Sequence, residues 1–270
     1  MLALRDSHDA VREGAWTRER HGGPRIAKES RLPFDLVRRQ TPRADPVPVS
    51  GRKLHGHRAQ DNLRGMDVPA QFAAHPWHGV DPGPDFPKAF TAFIEIVPTD
   101  TVKYELDKAT GILKVDRPQL FSNVCPTLYG LVPRTFCGPR VARLCEDKTG
   151  RTGLKGDGDP MDVCVLTEKP ITHAQILVPA VPIGGLRMLD NDEVDDKILA
   201  VLKGDAVYGA LTDVAEMPGS LVDRLSHYFL TYKQRPGGSA QPVEITHVYG
   251  RDEALAVLEA SRDDYRARFG

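Results

Sequence analysis

Lys155-Gly156-Asp157-Gly158-Asp159-Pro160-Met161-Asp162-Val163 is the stretch on which the reading of this chain turns. Asp157, Asp159 and Asp162 fall within six residues, on a turn punctuated by Gly and Pro that runs into the apolar Val163-Cys164-Val165-Leu166. Carboxylates crowded this closely repel one another unless a cation lies between them. An all-oxygen donor set selects a hard ion such as Mg²⁺, Mn²⁺ or Ca²⁺ over Zn²⁺. An EF-hand loop fails the test of position. Glu168 does stand twelfth from Asp157, but the fifth place is Met161 and the sixth is Asp162 instead of Gly, so a ligand and the sharp turn are lost. A second acidic run, Asp190-Asn191-Asp192-Glu193-Val194-Asp195-Asp196-Lys197, again sits between apolar segments. A solvated acidic turn explains one such cluster better than it explains two.

Working outward, Ala92–Val97 alternates faces, with Ile94 and Ile96 on one side and Glu95 on the other. Val102–Asp107 also alternates, placing Lys103, Glu105 and Asp107 together. Gly111 closes a turn that leads back through Ile112–Arg117, a β-hairpin with one charged face. Further strands are predicted at Asp162–Leu166, Ile176–Ile183, Gly185–Leu189, Ile198–Leu202 and Val243–Val248. Helices are predicted late. One begins with Ser220 as its cap and carries Leu221, Leu225, Phe229 and Tyr232; the other spans Asp252–Phe269, with Leu255, Leu258, Arg262, Tyr265 and Phe269 on its stripe. Strands followed by helices predict an α+β fold, a small antiparallel barrel with flanking helices.

The net charge of −1 conceals a split. Residues 1–65 contain 14 Lys/Arg and 8 Asp/Glu, leaving 22 and 29 for residues 66–270. The first segment has five prolines and two aromatics, Trp16 and Phe34, without helical or strand periodicity. It is expected to be a disordered basic extension, dispensable or even non-native, since it has too little apolar surface to offset the entropy of ordering; a basic tail that touches nucleic acid or another polyanion is the alternative. It has no apolar core of a secretory signal, and its acidic residues argue against a mitochondrial transit peptide. Residues 66–270 are expected to form the catalytic domain. No apolar run is long enough for a membrane helix. The four cysteines form no C-x-x-C pair, consistent with a reduced, cytoplasmic chain.

The Asp157–Val163 string resembles the signature of the soluble family I inorganic pyrophosphatases. The other patches follow in that family's order: Ile94-Glu95-Ile96, Lys103-Tyr104-Glu105, Val115-Asp116-Arg117, Tyr129-Gly130, the signature, Asp190 to Asp195 with Lys197, and Tyr232-Lys233. The resemblance spans roughly residues 86–269. It implies an OB-type five-stranded antiparallel β-barrel with flanking helices, hydrolysing pyrophosphate to two phosphates with Mg²⁺ ions. Carried over by position, Asp157, Asp162 and Asp195 resemble the ligands of the tightest metals, Asp190 a ligand of a further metal, and Glu95 one that acts through water. Asp159 resembles the general base for the attacking water. Lys103, Arg117, Tyr129, Tyr232 and Lys233 resemble the groups that grip the phosphates, with Lys197 and Glu105 at the same cavity. The expected partners are pyrophosphate and further copies of the chain in a homo-oligomer, with no nucleic acid and no membrane.

The chemistry is coherent with that resemblance. A polyanionic substrate repels a water nucleophile, metal ions neutralise it and acidify the water, and an Asp beside the water accepts its proton. Each residue also has a plainer role available: Lys103 and Glu105 as an exposed ion pair, Tyr232 as core, Arg117 as a solvated strand end, and His173, His227 and His247 as structural or surface residues. Two departures from the commonest bacterial pattern stand out, Cys125 in place of a second Tyr and Asn191 in place of Glu. Leu131–Leu154 reads as a long loop: a mobile edge, an oligomer contact or a lid. An OB-fold that binds oligonucleotides wants a basic groove with exposed aromatics, which the acidic clusters oppose. An enzyme acting on other phosphoanhydrides is the remaining alternative.

Overall fold

The computed structural model describes residues 73–234, 237–238 and 243–270, and the expected extension at 1–65 lies outside them. The alternating segment read at Ala92–Val97 is β1, Phe90–Ile96. The predicted hairpin is β2, Val102–Leu106, paired antiparallel with β3, Leu113–Pro118, as a separate two-stranded sheet. The remaining strands are β4 (Leu128–Leu131), β5 (Lys155–Gly156), β6 (Asp162–Leu166), β7 (Ile176–Asp190), β8 (Glu193–Val194), β9 (Lys197–Leu202) and β10 (Val243–Gly250). β1 pairs with both β4 and β7, which closes the order β1-β4-β6-β9-β7 into a ring. One of its buried core clusters contains Ile94, Leu128, Val163, Val165, Leu189 and Ile198 among others, all almost fully buried.

The sheet is mixed, which corrects the expectation of an antiparallel barrel. β6 and β9 run parallel from Asp162↔Lys197 to Leu166↔Val201, and the short β5 and β8 are also parallel. The long β7 lies between β6 and β9 in sequence, and its return hairpin lays β9 beside β6 in the same sense. A parallel pair needs a long intervening connection of this kind. β7 is also one continuous strand where two were expected. Gly184 and Gly185 do not break it. A Cβ on Gly185 would lie 2.3 Å from the Tyr249 ring, so glycine marks a close approach.

Among the described residues three α-helices pack outside the ring, and the first of them falsifies the expectation that helices occur only late. α1, Pro139–Thr149, occupies the centre of the predicted 131–154 loop. It has Pro at its start and buries Val141, Ala142 and Cys145. Its N-cap, Gly138, offers no side chain; instead Asp264 accepts from Arg140 N at 2.9 Å and Val141 N at 3.2 Å. α2, Gly219–Thr231, starts from Pro218 with no side-chain cap, so Ser220 lies inside the first turn and does not cap it. α3, Arg251–Phe269, buries Ala254, Val257, Leu258, Ser261 and Asp264. That face is rotated from the predicted one: Leu255, Arg262 and Tyr265 are only partly buried and Phe269 is exposed, while Asp264 is turned inward to cap α1. All four cysteines are free and buried. Among the described residues no helix is long and apolar enough to cross a membrane.

Candidate active site

The Asp157–Pro160 loop is laced to the backbone just before α1. Cys137 N donates to Asp159 O at 2.7 Å, Gly158 N donates to Cys137 O at 3.0 Å, and Asp157 Oδ1 accepts from Asp159 N at 2.9 Å. Gly158 has φ +79°, a left-handed conformation that glycine adopts without strain. Gly130 serves a different need: a Cβ there would lie 1.9 Å from Phe93 O, so only glycine lets β4 approach β1 beside Tyr129. The loop delivers Asp162 to the first position of β6, directly opposite Lys197 at the first position of β9.

A cavity of about 220 Å³ opens at this end of the ring. Its wall holds six carboxylates, Asp157, Asp159, Asp162, Asp190, Glu193 and Asp195, against four cations, Lys103, Arg117, Lys197 and Lys233, together with Tyr129 and Tyr232. Glu95 and Glu105 line an adjoining cavity of about 80 Å³ that shares Lys103, Tyr129, Asp159 and Asp162 with the first. All thirteen residues singled out in the sequence therefore border one of two neighbouring cavities. Cys125 does not; it is buried in the core beside α2. Asn191 sits at the β7–β8 turn with φ +62°, where its side chain type is favoured.

Lys197, nearly fully buried, is the hub. Its Nζ lies 2.5 Å from Asp162 Oδ2 and also contacts Asp195 Oδ1, while Tyr129 Oη donates to the same Asp162 oxygen at 2.6 Å. Opposite it, Lys233 Nζ donates to Asp190 at 2.8 Å and lies 5.4 Å from the Tyr232 ring centre. The Arg117 guanidinium lies 5.5 Å from the same ring. Lys103 and Arg117 both donate to Asp116, yet Arg117 Nη2 is buried with no hydrogen-bond partner among the described residues. A buried N–H left open beside a cavity is a donor awaiting an acceptor.

The acids are held away from their ordinary state. Burial, then the Asp195 charge, pushes Asp157 up to about 8. Burial, then Asp162, pushes Glu95 to about 8, although Leu106 N donates to its Oε1 at 2.8 Å. Burial also raises Asp195. Lys197 is held well above the lysine range: burial opposes its charge, but Asp162 and Asp195 outweigh that. Among the described residues no three acidic, imidazole or thiol side chains converge as a closed metal cage, for the Lys197 ammonium stands between Asp162 and Asp195. Buried, mutually repelling oxygen donors that favour their neutral form still suit a hard divalent cation, which relieves the penalty directly.

Four wall or contact residues were not singled out in the sequence. Asp116 braces the Lys103–Arg117 pair, Lys108 pairs with Asp159 from the β2–β3 turn, and Glu193 and Tyr228 complete the wall. Asp116 lay within a quoted patch and Lys108 followed the Lys103–Asp107 face, but nothing local indicated their partners.

The sequence profile of inorganic pyrophosphatases matches residues 92–266. This chain belongs to the inorganic pyrophosphatase family. It is 53% identical over 196 residues to the inorganic pyrophosphatase of Chlamydia trachomatis serovar L2, covering 71% of this chain and 94% of that one. It is 37% identical over 197 residues to soluble inorganic pyrophosphatase 2 of Chlamydomonas reinhardtii, covering 73% and 91%. Among solved structures, the inorganic pyrophosphatase from Thermus thermophilus aligns with a TM-score of 0.59 at 26% identity, covering 72% of this chain and 99% of that chain. The enzyme is thus a hydrolase of inorganic pyrophosphate.

Proposed function

We propose that the enzyme hydrolyses pyrophosphate with Mg²⁺ bound by Asp157, Asp162, Asp195 and Asp190, with Glu95 acting through water, and with Asp159 as general base. The observation that carries the reading is the wall of six carboxylates facing four cations. A polyanion does not enter such a cavity unless further positive charge enters too. Mg²⁺ supplies that charge and acidifies a water.

The chain's own groups do the rest. Asp159, half-exposed at the mouth shared by the two cavities, accepts the proton of the attacking water. Arg117, with its open Nη2, and Lys103 grip one phosphate. Lys233 and Tyr232 donate to phosphate oxygens, and Tyr129 does so once its one hydroxyl proton turns from Asp162, the tyrosines adding no charge. Lys197 keeps Asp162 and Asp195 oriented, and Glu105 borders the adjoining cavity. In this reading the strand ring is an OB-type barrel, the enzyme acts in the cytoplasm, and it assembles as a homo-oligomer.

The test measures phosphate release from pyrophosphate and from ATP, each with Mg²⁺ and with chelator. Rapid release from pyrophosphate with Mg²⁺, and little under the other conditions, supports the reading. Equal turnover of ATP, or undiminished turnover in chelator, overturns it.

A further inference from the structure

Behind the cavity lies a buried ion pair that the reaction does not touch. Arg187 of β7 and Asp196, in the gap between β8 and β9, both have fully buried side chains. Arg187 Nε donates to Asp196 Oδ2 at 3.0 Å and to Oδ1 at 3.2 Å, Tyr249 Oη donates to Oδ2 at 3.0 Å, and Met188 N donates to Oδ1 at 3.3 Å. Arg187 Nη2 also lies 3.1 Å from Glu253 Oε1 on α3, without hydrogen-bond geometry, and its Nη1 has no partner among the described residues.

Such a pair is a poor way to gain stability. Removing two charges from water costs as much as their attraction returns, and apolar replacements often serve as well. Its place in the chain points elsewhere. β8 and β9 both pair with β7, but Asp195 and Asp196 interrupt the ladder opposite Arg187 and Met188. Asp195 N still donates to Met188 O at 3.0 Å. In extended chain, neighbours point to opposite faces and alternate residues share one. Asp195 and Lys197 line the cavity, whereas Asp196 is turned into the core between them.

We infer that Asp196, anchored by Arg187, is a positioning residue: locking the middle side chain inward fixes Asp195 and Lys197 outward at a point where the ladder alone does not. The inference rests on the proposed role of Asp195 toward Mg²⁺. Losing a group that orients a metal ligand typically weakens metal binding about 10–100-fold.

The experiment uses the full chain and three variants: Asp196→Asn, the doubly neutral Arg187→Met with Asp196→Leu, and Asp195→Asn. For each, Mg²⁺ is titrated by calorimetry and by its effect on Tm, and kcat and KM are measured well below the variant's own Tm. The expected result for Asp196→Asn is an Mg²⁺ dissociation constant raised about tenfold or more and a smaller Mg²⁺-induced rise in Tm. The double variant, whose core carries no unpaired charge, should show the same loss even at parental Tm, and it serves as the measurement if the single variant does not fold. If Tm falls but Mg²⁺ affinity and KM stay within twofold of the parent, the pair is merely structural and the inference is overturned. Where Asp195→Asn weakens Mg²⁺ binding and the Asp196 variants do not, this inference alone fails. Where Asp195→Asn also leaves Mg²⁺ binding unchanged, the metal reading fails with it.

Discussion

Lys197 Nζ lies 2.5 Å from Asp162 Oδ2, across the first rung of the parallel β6–β9 ladder. Backbone pairing therefore sets this contact, and the ammonium also reaches Asp195. It is the one cation placed between those two acids among the described residues. Lys197→Met leaves them facing one another uncompensated. Breaking a buried pair in this way costs about 3–5 kcal/mol. The expected outcome is a variant with a much lower Tm in chelator, and a larger Mg²⁺-induced rise in Tm than the parent. Melting curves with and without Mg²⁺ check it; an equal rise in both proteins refutes it.

Glu95 gives a pH signature with a definite sign. Its folded-state value of about 8 stands above the ordinary 4.5. Between those values the folded chain keeps a proton that the unfolded chain has released, so stability falls as pH rises, by at most about 1.4 kcal/mol per pH unit. The fall begins near pH 4.5 and levels off above about 8. Glu95→Gln should make this part of the profile less steep in chelator without abolishing it, since Asp157 is also raised to about 8. Urea unfolding of parent and variant from pH 5 to about 9 measures the difference, and parallel profiles would falsify the assignment.

The proposed mechanism gives Asp159 and Asp157 two different roles on one loop. Asp159→Asn preserves shape but removes the base, so kcat should fall about 10²–10⁴-fold with little change in the half-saturating Mg²⁺ concentration. Asp157→Asn should instead shift that concentration upward, and excess Mg²⁺ should restore part of the rate. Rate against Mg²⁺ at saturating pyrophosphate distinguishes them. Equal shifts along the metal axis with equal maxima would make Asp159 another ligand.

The relatives bear on the extension. A segment equal to 71% of this chain accounts for 94% of the Chlamydia trachomatis enzyme. Removing residues 1–65 should therefore leave Tm and kcat nearly unchanged. An insoluble product, or loss of most of the turnover, would assign that segment a structural role.

Much of the strand structure was legible because its signals are local. Ile94 and Ile96 alternate with Glu95, and the two-faced hairpin around Gly111 declares itself within a dozen residues. β4 was missed as a strand because Leu128–Leu131 is too short to show a period. α1 was missed for a different reason: Pro133, Gly138 and Pro139 read as loop, its apolar stripe is narrow, and its cap is supplied from α3. At the site the two acidic clusters were legible by residue type, and the other candidate residues through the order of patches that carries the family resemblance. Pairings across the fold, Lys108 with Asp159 and Arg187 with Asp196, had no local trace.

The cap itself can be tested. Asp264→Ala leaves the first amides of α1 without their acceptor and should cost about 1–2 kcal/mol. Asp264 lines neither cavity, so kcat should hold at temperatures where the variant is folded. A loss of turnover without a loss of Tm would contradict this.

That cap also orders events during synthesis. Arg140 and Asp264 are 124 residues apart in sequence, an interval of on the order of ten seconds at a ribosome's pace of about 5–20 residues per second. Throughout it, α1 and the Cys137 backbone that tethers the acidic loop exist without the helix that completes them. The nascent chain thus carries its clustered acids well before they have a finished scaffold, and the site is completed only when α3 has emerged.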